Sequence, residues 1–219
     1  QLLLFSYNDG LHMPDLLGMT SANRSGMPIW RTDAEVRTDL PGLCDLILSH
    51  DRDILSVDDS VVTLFEEEPY MIRRSRGYAP LPIYVNGDFH GTVLSAGGEL
   101  KNTVCLAKDN LFYLSPHIGD VGCVRTETAQ HECAVRLRDL LEITPQFGAA
   151  DIHPAYESSQ LVKQARIPVI SVQHHYAHIL SCMAENGCSD EVIGIALDGT
   201  GYGTDGTIWG GELLQVSYD

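Results

Sequence analysis

Positive charge is scarce in these 219 residues: 14 lysines and arginines stand against 30 aspartates and glutamates, a formal charge of −16. Such a surplus repels polyanions, which argues against a broad nucleic-acid face or an anionic-membrane surface and leaves only a local basic pocket open. Long apolar runs are missing as well. No stretch approaches ~18 continuous apolar residues, and no charged-then-apolar leader opens the chain, so neither a membrane span nor secretion is expected. The six cysteines, Cys44, Cys105, Cys123, Cys133, Cys182 and Cys188, contain no C-x-x-C pair. They read as reduced, mostly buried thiols of a cytoplasmic protein. What the chain does have is 44% apolar residues, enough to build the core of one large domain or two small ones. Gln1 stands first, and the strand-like run Leu213 to Tyr218 precedes the last residue with no closing helix. A fragment of a longer polypeptide is the expectation.

Taken in order, Leu2 to Ser6 and Leu16 to Met19 are short apolar runs, the second leading into Thr20-Ser21-Ala22-Asn23-Arg24-Ser25-Gly26-Met27-Pro28. Strand followed by polar loop is the expectation. The loop's hydroxyls, amide and glycine suit either an anion held by backbone N–H groups or a helix-capping turn. Ala34, Val36 and Leu40 before Pro41-Gly42 predict a short helix from Asp33. Paired Asp58 and Asp59 fit a cation site or a hydrated turn. Glu66-Glu67-Glu68 beside Pro69 predicts a hairpin tip. Arg73, Arg74 and Arg76 crowd three cations into four residues of an acidic chain, suited to a bound phosphate or to pairing with nearby glutamates. Pro80-Leu81-Pro82 reads as a linker. Beyond it, Thr92 to Ser95, Val104 to Ala107 and Leu111 to Leu114 predict antiparallel strands around a glycine turn, and Thr126 to Leu141 a core-facing helix. A helix from about Glu157 to Ala165 and a strand from Pro168 to Val172 complete an α/β rhythm.

The densest chemistry follows in Val172-Gln173-His174-His175-Tyr176-Ala177-His178 and Leu197-Asp198-Gly199-Thr200-Gly201-Tyr202-Gly203. A helix running to about Asn186, stopped by Gly187, puts His174 and His178 on one face at the carboxyl end of a strand, where α/β sheets bind ligands. With Asp198 at the end of the strand Val192 to Leu197, the three make a plausible site for zinc or ferrous iron with open positions. Two ordinary histidines remain the alternative. Gly199, Gly201, Gly203 and Gly206 lie between apolar runs that predict a hairpin, either close-fitting to a ligand or simply loose.

With these residues assembled, the chain resembles the HypF family of hydrogenase-maturation carbamoyltransferases. Residues 1–84 resemble the second half of a YrdC-like α/β domain, through Met19 to Pro28, His50 to Ile54, Asp58 to Val62 and Arg73 to Pro80. Residues 85–219 resemble the first part of a Kae1-like α/β domain of the ASKHA (actin-like) fold, through Gly98 to Thr103, His117 to Asp120, Asp151 to Tyr156, the histidine stretch and Leu197 to Glu212. The resemblance implies an enzyme that uses ATP with Mg2+ to turn carbamoyl phosphate into carbamoyl-adenylate. It then passes the carbamoyl group to the C-terminal cysteine of a HypE-type acceptor protein. It further implies nucleotide binding by Thr20, Ser21, Asn23, Ser25, Arg74 and Arg76 in the first unit, and by Lys101, Asn102, Gly199, Gly201 and Gly203 in the second. His174, His178 and Asp198 would hold one transition-metal ion, zinc or iron, with His178 and Asp198 also catalytic. No nucleic-acid or membrane partner is implied. The pattern departs from the family between Ile54 and Asp58, which is one residue shorter and lacks an arginine. The acylphosphatase-like domain, the zinc-finger cysteines, the first half of the YrdC-like domain and a later metal-ligand aspartate have no counterpart, so this chain alone is not expected to be a complete catalyst. Competing expectations are a threonylcarbamoyl-transfer relative acting on tRNA, which the acidic charge disfavours, an O-carbamoyltransferase acting on a small molecule, and a non-catalytic nucleotide-binding module.

Overall fold

The computed structural model describes residues 5, 10, 14–24, 27–52 and 54–218. Helix α1, Asp33–Asp39, starts where expected because Thr32 and Glu35 form a capping box, each satisfying a backbone N–H of the other. Strands β1, Val61–Phe65, and β2, Glu68–Arg73, pair antiparallel as a two-stranded hairpin. The tip is Glu66-Glu67, both left-handed at φ 50° and 71°, and Glu68 already belongs to β2. Leu16 to Met19, expected as a strand, joins no ladder, and Leu2 to Ser6 lies almost wholly outside the described residues. An apolar run without a pairing partner has nowhere to place its backbone hydrogen bonds as a strand.

The rest of the chain is built on a sheet in the order β3-β6-β5-β4-β7-β8. Its strands are β3, Pro82–Tyr84; β4, Thr92–Ser95; β5, Cys105–Lys108; β6, Leu111–Leu114; β7, Phe147–Asp151; and β8, Val169–Val172. The first four are antiparallel, and β4, β7 and β8 run parallel. Pro82, expected to end a linker, thus opens a strand of this sheet; it heads an edge strand, where it forfeits no ladder bond. The 18-residue helix α2, Val124–Leu141, covers the sheet with Ala134 and Leu137 in a core with Leu94, Val104, Leu106 and Val162. Leu106 is wholly buried, a burial that stabilises by about 1.5–3 kcal/mol. Between β7 and β8, a 3-10 turn, Glu157–Ser159, precedes the short helix α3, Gln160–Gln164.

Helix α4, His174–Glu185, leaves β8 and packs on a second, two-stranded sheet of β9, Val192–Ala196, and β12, Glu212–Val216. His175, Ile179 and Met183, spaced by four, form its buried stripe. Gly194 of β9 lies so close beneath Ile179 that a Cβ there would overlap its side chain. The apolar run that follows the glycines, Ile208 to Val216, expected as one arm of a hairpin, is broken at Gly210-Gly211 into β11, Ile208–Trp209, which pairs with β10, Gly201–Tyr202, and the separate strand β12. No disulfide joins the cysteines; four are partly buried, Cys133 and Cys188 against the two cores, with burial pushing the Cys105 thiol up to about 12, whereas Cys44 and Cys182 are exposed, contrary to the expected burial. No helix among the described residues is long and apolar enough to cross a membrane.

Candidate metal centre and its cavities

Three strand ends deliver the chemistry. Asp151 closes β7, His174 opens α4 directly after β8, and Asp198 lies two residues beyond β9. His174 and His178 share a helix face one turn apart, offset from the buried stripe, so burial of Ile179 aims both imidazoles at the strand ends. His174 Nε2 lies 2.9 Å from an Asp198 oxygen and 3.2 Å from His178 Nε2, and the same oxygen is 3.4 Å from His178. Donors on one tetrahedral ion with bonds of about 2.1 Å stand about 3.4 Å apart, so the set fits zinc or a similar divalent ion. Two nitrogens and one carboxylate leave coordination positions open.

Asp151 sets the tautomer. Its buried carboxylate accepts the His174 Nδ1–H at 2.7 Å and the His153 backbone N–H at 2.8 Å. His174 Nε2 in turn donates to Asp198 at 2.9 Å, and with an ion between them it would instead present its lone pair, from an imidazole that an outer carboxylate orients. This hydrogen bond outweighs burial and raises the His174 pKa, with the charges of Asp151 and Asp198 acting in the same direction. Burial alone would raise Asp198, but the Gly199 N–H and the two imidazoles hold its carboxyl below the ordinary range.

The centre opens on a cavity of about 630 Å³, walled also by Gly97, Gly98, Lys101 and Tyr156. Gly97, at φ +72°, makes this wall possible, since a Cβ there would meet the Thr103 carbonyl. Asn102 points away from the cavity: buried, it donates to the Ala96 and Gly98 carbonyls and folds the loop around itself. Lys101 is the exposed neighbour, left-handed at φ 50° with its N–H on Asp120. Glu99 accepts from the Glu157 and Ser158 N–H groups. Tyr156 stacks on His153 at 4.1 Å, and burial, followed by the charges of Asp151, Glu99 and Asp198, raises its pKa, keeping it a donor. Of the glycines, Gly199 has open space around it, whereas a Cβ at Gly201 would overlap His175 and one at Gly203 would overlap Trp209. The last two are close-packing positions within the protein, so their small size serves the chain's own fold.

A second cavity, of about 300 Å³, is lined by Ser21, Asn23, Asp58 and Arg73 together with His117 and Asp120. Ser21 donates to Asn23, whose amide is spent on the Arg24 and Met27 carbonyls, the self-capping use of such a loop. Thr20 is exposed beside it, and Ser25 lies outside the described residues. Arg74 turns to the Leu81 carbonyl and Arg76 pairs with Asp59 at 2.6 Å, so Arg73, facing Asp58 at 3.6 Å, is the arginine on the cavity wall. The partners are aspartates rather than the neighbouring glutamates. Burial, then Arg73, lowers the His117 pKa against the pull of Asp58 and Asp120. Sequence reasoning had not singled out Asp151 or His117 as site residues. The available signal was position: Asp151 ends a strand parallel to the one that delivers His174.

The architecture is therefore an α/β unit with a two-histidine, one-carboxylate centre, joined to a smaller unit with a hydroxyl-and-amide loop. Comparison with known proteins specifies both. The family model for the HypF Kae1-like domain matches residues 88–185, that for the second subdomain of the carbamoyltransferase Kae1-like domain matches 194–219, and the Sua5/YciO/YrdC model, described as telomere recombination, matches 3–75. The carbamoyltransferase HypF of Synechocystis sp. is 46% identical over 200 residues, 90% of this chain and 26% of that one. The crystal structure of a full-length HypF in the phosphate- and nucleotide-bound form superposes with a TM-score of 0.83 at 42% identity, over 90% of this chain and 32% of that one. The structure of T. kodakarensis HypF gives 0.83 and 42%, over 91% and 27%. The chain belongs to the HypF family, with YrdC-like and Kae1-like α/β units as expected, and spans about a quarter of the length of the curated relatives it matches.

Proposed function

We propose that this chain forms the junction of an ATP-dependent carbamoyltransferase, with residues 1–84 belonging to the activating unit and 85–219 to the transferring unit. In this reading the first unit, through Ser21 and Asn23 with Arg73 in place of Arg74 and Arg76, takes part in forming carbamoyl-adenylate from carbamoyl phosphate, ATP and Mg2+. The second passes the carbamoyl group to the C-terminal cysteine of a HypE-type acceptor in the cytoplasm. The thiolate sulfur attacks the carbamoyl carbon, and the bond to the AMP oxygen breaks.

The observation that best supports this reading is the convergence of His174, His178 and Asp198 within 3.4 Å at the mouth of a cavity that also holds Lys101. A divalent ion held by these three would polarise a bound carbonyl. Lys101 supplies a cation for a phosphate, and the Tyr156 hydroxyl, kept protonated, can donate to developing negative charge on a carbonyl oxygen. Asp151 keeps the proton of His174 on Nδ1. The acidic balance of the chain weighs against a tRNA substrate.

The test incubates the chain within its full-length parent with carbamoyl phosphate, ATP and a HypE-type acceptor. The expected result is a carbamoyl mass increment on the acceptor's terminal cysteine. No increment, with ATP consumed or not, would sink the proposal.

A further inference from the structure

The helix bearing both imidazoles and the loop bearing Asp198 approach the centre from different elements, so something must fix their separation. We infer that Gln173, which is not itself a ligand, is the positioning residue that fastens the Asp198 loop to the His174–His178 helix, using buried His175 as its rest. The inference deepens the metal reading above and rests on it.

Every hydrogen-bonding position of the Gln173 amide used here is assigned. Its oxygen accepts the Tyr176 N–H at 2.9 Å, capping α4. Its NH2 group reaches the Tyr202 carbonyl at 3.1 Å and His175 Nδ1 at 3.0 Å. Turning the amide over would set its oxygen against the Tyr202 oxygen and its NH2 against the Tyr176 N–H, so the orientation is fixed from both sides. His175 Nδ1 is then an acceptor, which puts the ring proton on Nε2. That ring is fully buried, stacks on Trp209 with centroids 6.3 Å apart, and sits where a Cβ of Gly201 would overlap it.

The segment from Asp198 to Tyr202 is therefore stitched at one end by Gln173 and seated on His175 three residues after the carboxylate. A helix cap alone would not need this residue. Ser, Thr, Asp and Asn are the preferred caps because a short side chain suffices. The longer glutamine, with two N–H groups, is needed only for the bonds to Tyr202 and His175.

The test titrates the chain within its metal-free full-length parent with Zn2+ against a competing chelator, counting the equivalent that His174→Ala removes, and follows helix content and thermal midpoint. Gln173→Ser keeps a capping oxygen but loses both donors. It is expected to hold wild-type helicity and midpoint while zinc affinity falls about 10- to 100-fold, the range for outer partners of metal ligands. Affinity within twofold of wild type would reduce Gln173 to a cap. Should this variant fail to fold, Gln173→Asn, which keeps a capping oxygen on a side chain one methylene too short for Tyr202, replaces it, and the same loss is expected; wild-type affinity there overturns the inference equally. No zinc equivalent lost from the parent on His174→Ala would strike the metal reading and this inference together, whereas an unchanged Gln173 variant beside a lost equivalent strikes this inference alone.

Discussion

The two cavities differ in how they treat a histidine. In the larger, carboxylates surround His174, and the hydrogen bond to Asp151 raises its pKa above the ordinary imidazole value. In the smaller, burial and Arg73 lower His117 below that value although Asp58 and Asp120 stand near. The walls are even connected, since the Lys101 N–H on one side donates to Asp120 on the other. Local arrangement, not the net charge of −16, decides what each cavity favours: the first a cation, the second a neutral imidazole beside a guanidinium.

The largest effect that could break this contrast is on the proposed metal site. His174→Ala and His178→Ala are each expected to abolish stoichiometric metal binding, because either leaves two donors where three now stand within 3.4 Å. Elemental analysis of the purified variants reads the outcome directly. Unchanged metal content in both would make the pair structural and the larger cavity merely acidic.

Next in size is Asp151→Asn. An amide oxygen still accepts the His174 Nδ1–H but brings no charge to it. A 10- to 100-fold loss of zinc affinity is expected at neutral pH, measured by competition. An unchanged affinity would mean that His174 is oriented by the helix alone.

The extent to which the sequence foretold these regions follows the range of the interactions involved. Helices α1, α2 and α4 and strands β4 to β6 were legible because breakers and apolar periodicity are local signals: Val36 and Leu40 before Pro41-Gly42, the apolar spacing from Thr126 to Leu141, Gly187 after Asn186. The histidine pair was legible for the same reason, spacing along one helix. Asp151 was not, since its meeting with His174 depends on β7 and β8 lying side by side, with Asp151 opposite Val172. Nor could the arginines be sorted. Which of Arg73, Arg74 and Arg76 faces Ser21 depends on where β2 ends and which side each residue then takes, and the register of β1 and β2 shifts at Val61–Val62. Gly201 and Gly203 illustrate the same limit, because glycine that admits a ligand and glycine that admits a neighbouring ring are identical in sequence. Only the fold shows His175 and Trp209 beside them.

The smallest effects sharpen the contrast most, because they have opposite signs in one molecule. In the metal-free chain, NMR titration of the imidazoles is expected to place the His174 midpoint above about 6.5 and the His117 midpoint below it. The stability consequences also oppose. His174, raised in the folded state, contributes stability that is full below the unfolded value and is lost as pH rises through its folded midpoint. His117, depressed, contributes stability that is present above the unfolded value and is lost as pH falls through its folded midpoint. Arg73→Gln removes the nearest cation and is expected to move the His117 midpoint upward, part of the way to 6.5, since burial remains the larger cause. Arg76→Gln, whose guanidinium is engaged by Asp59 instead, is expected to leave it in place. A His117 midpoint that ignores both substitutions would show that burial alone depresses it, and the contrast between the two histidines would then owe nothing to Arg73.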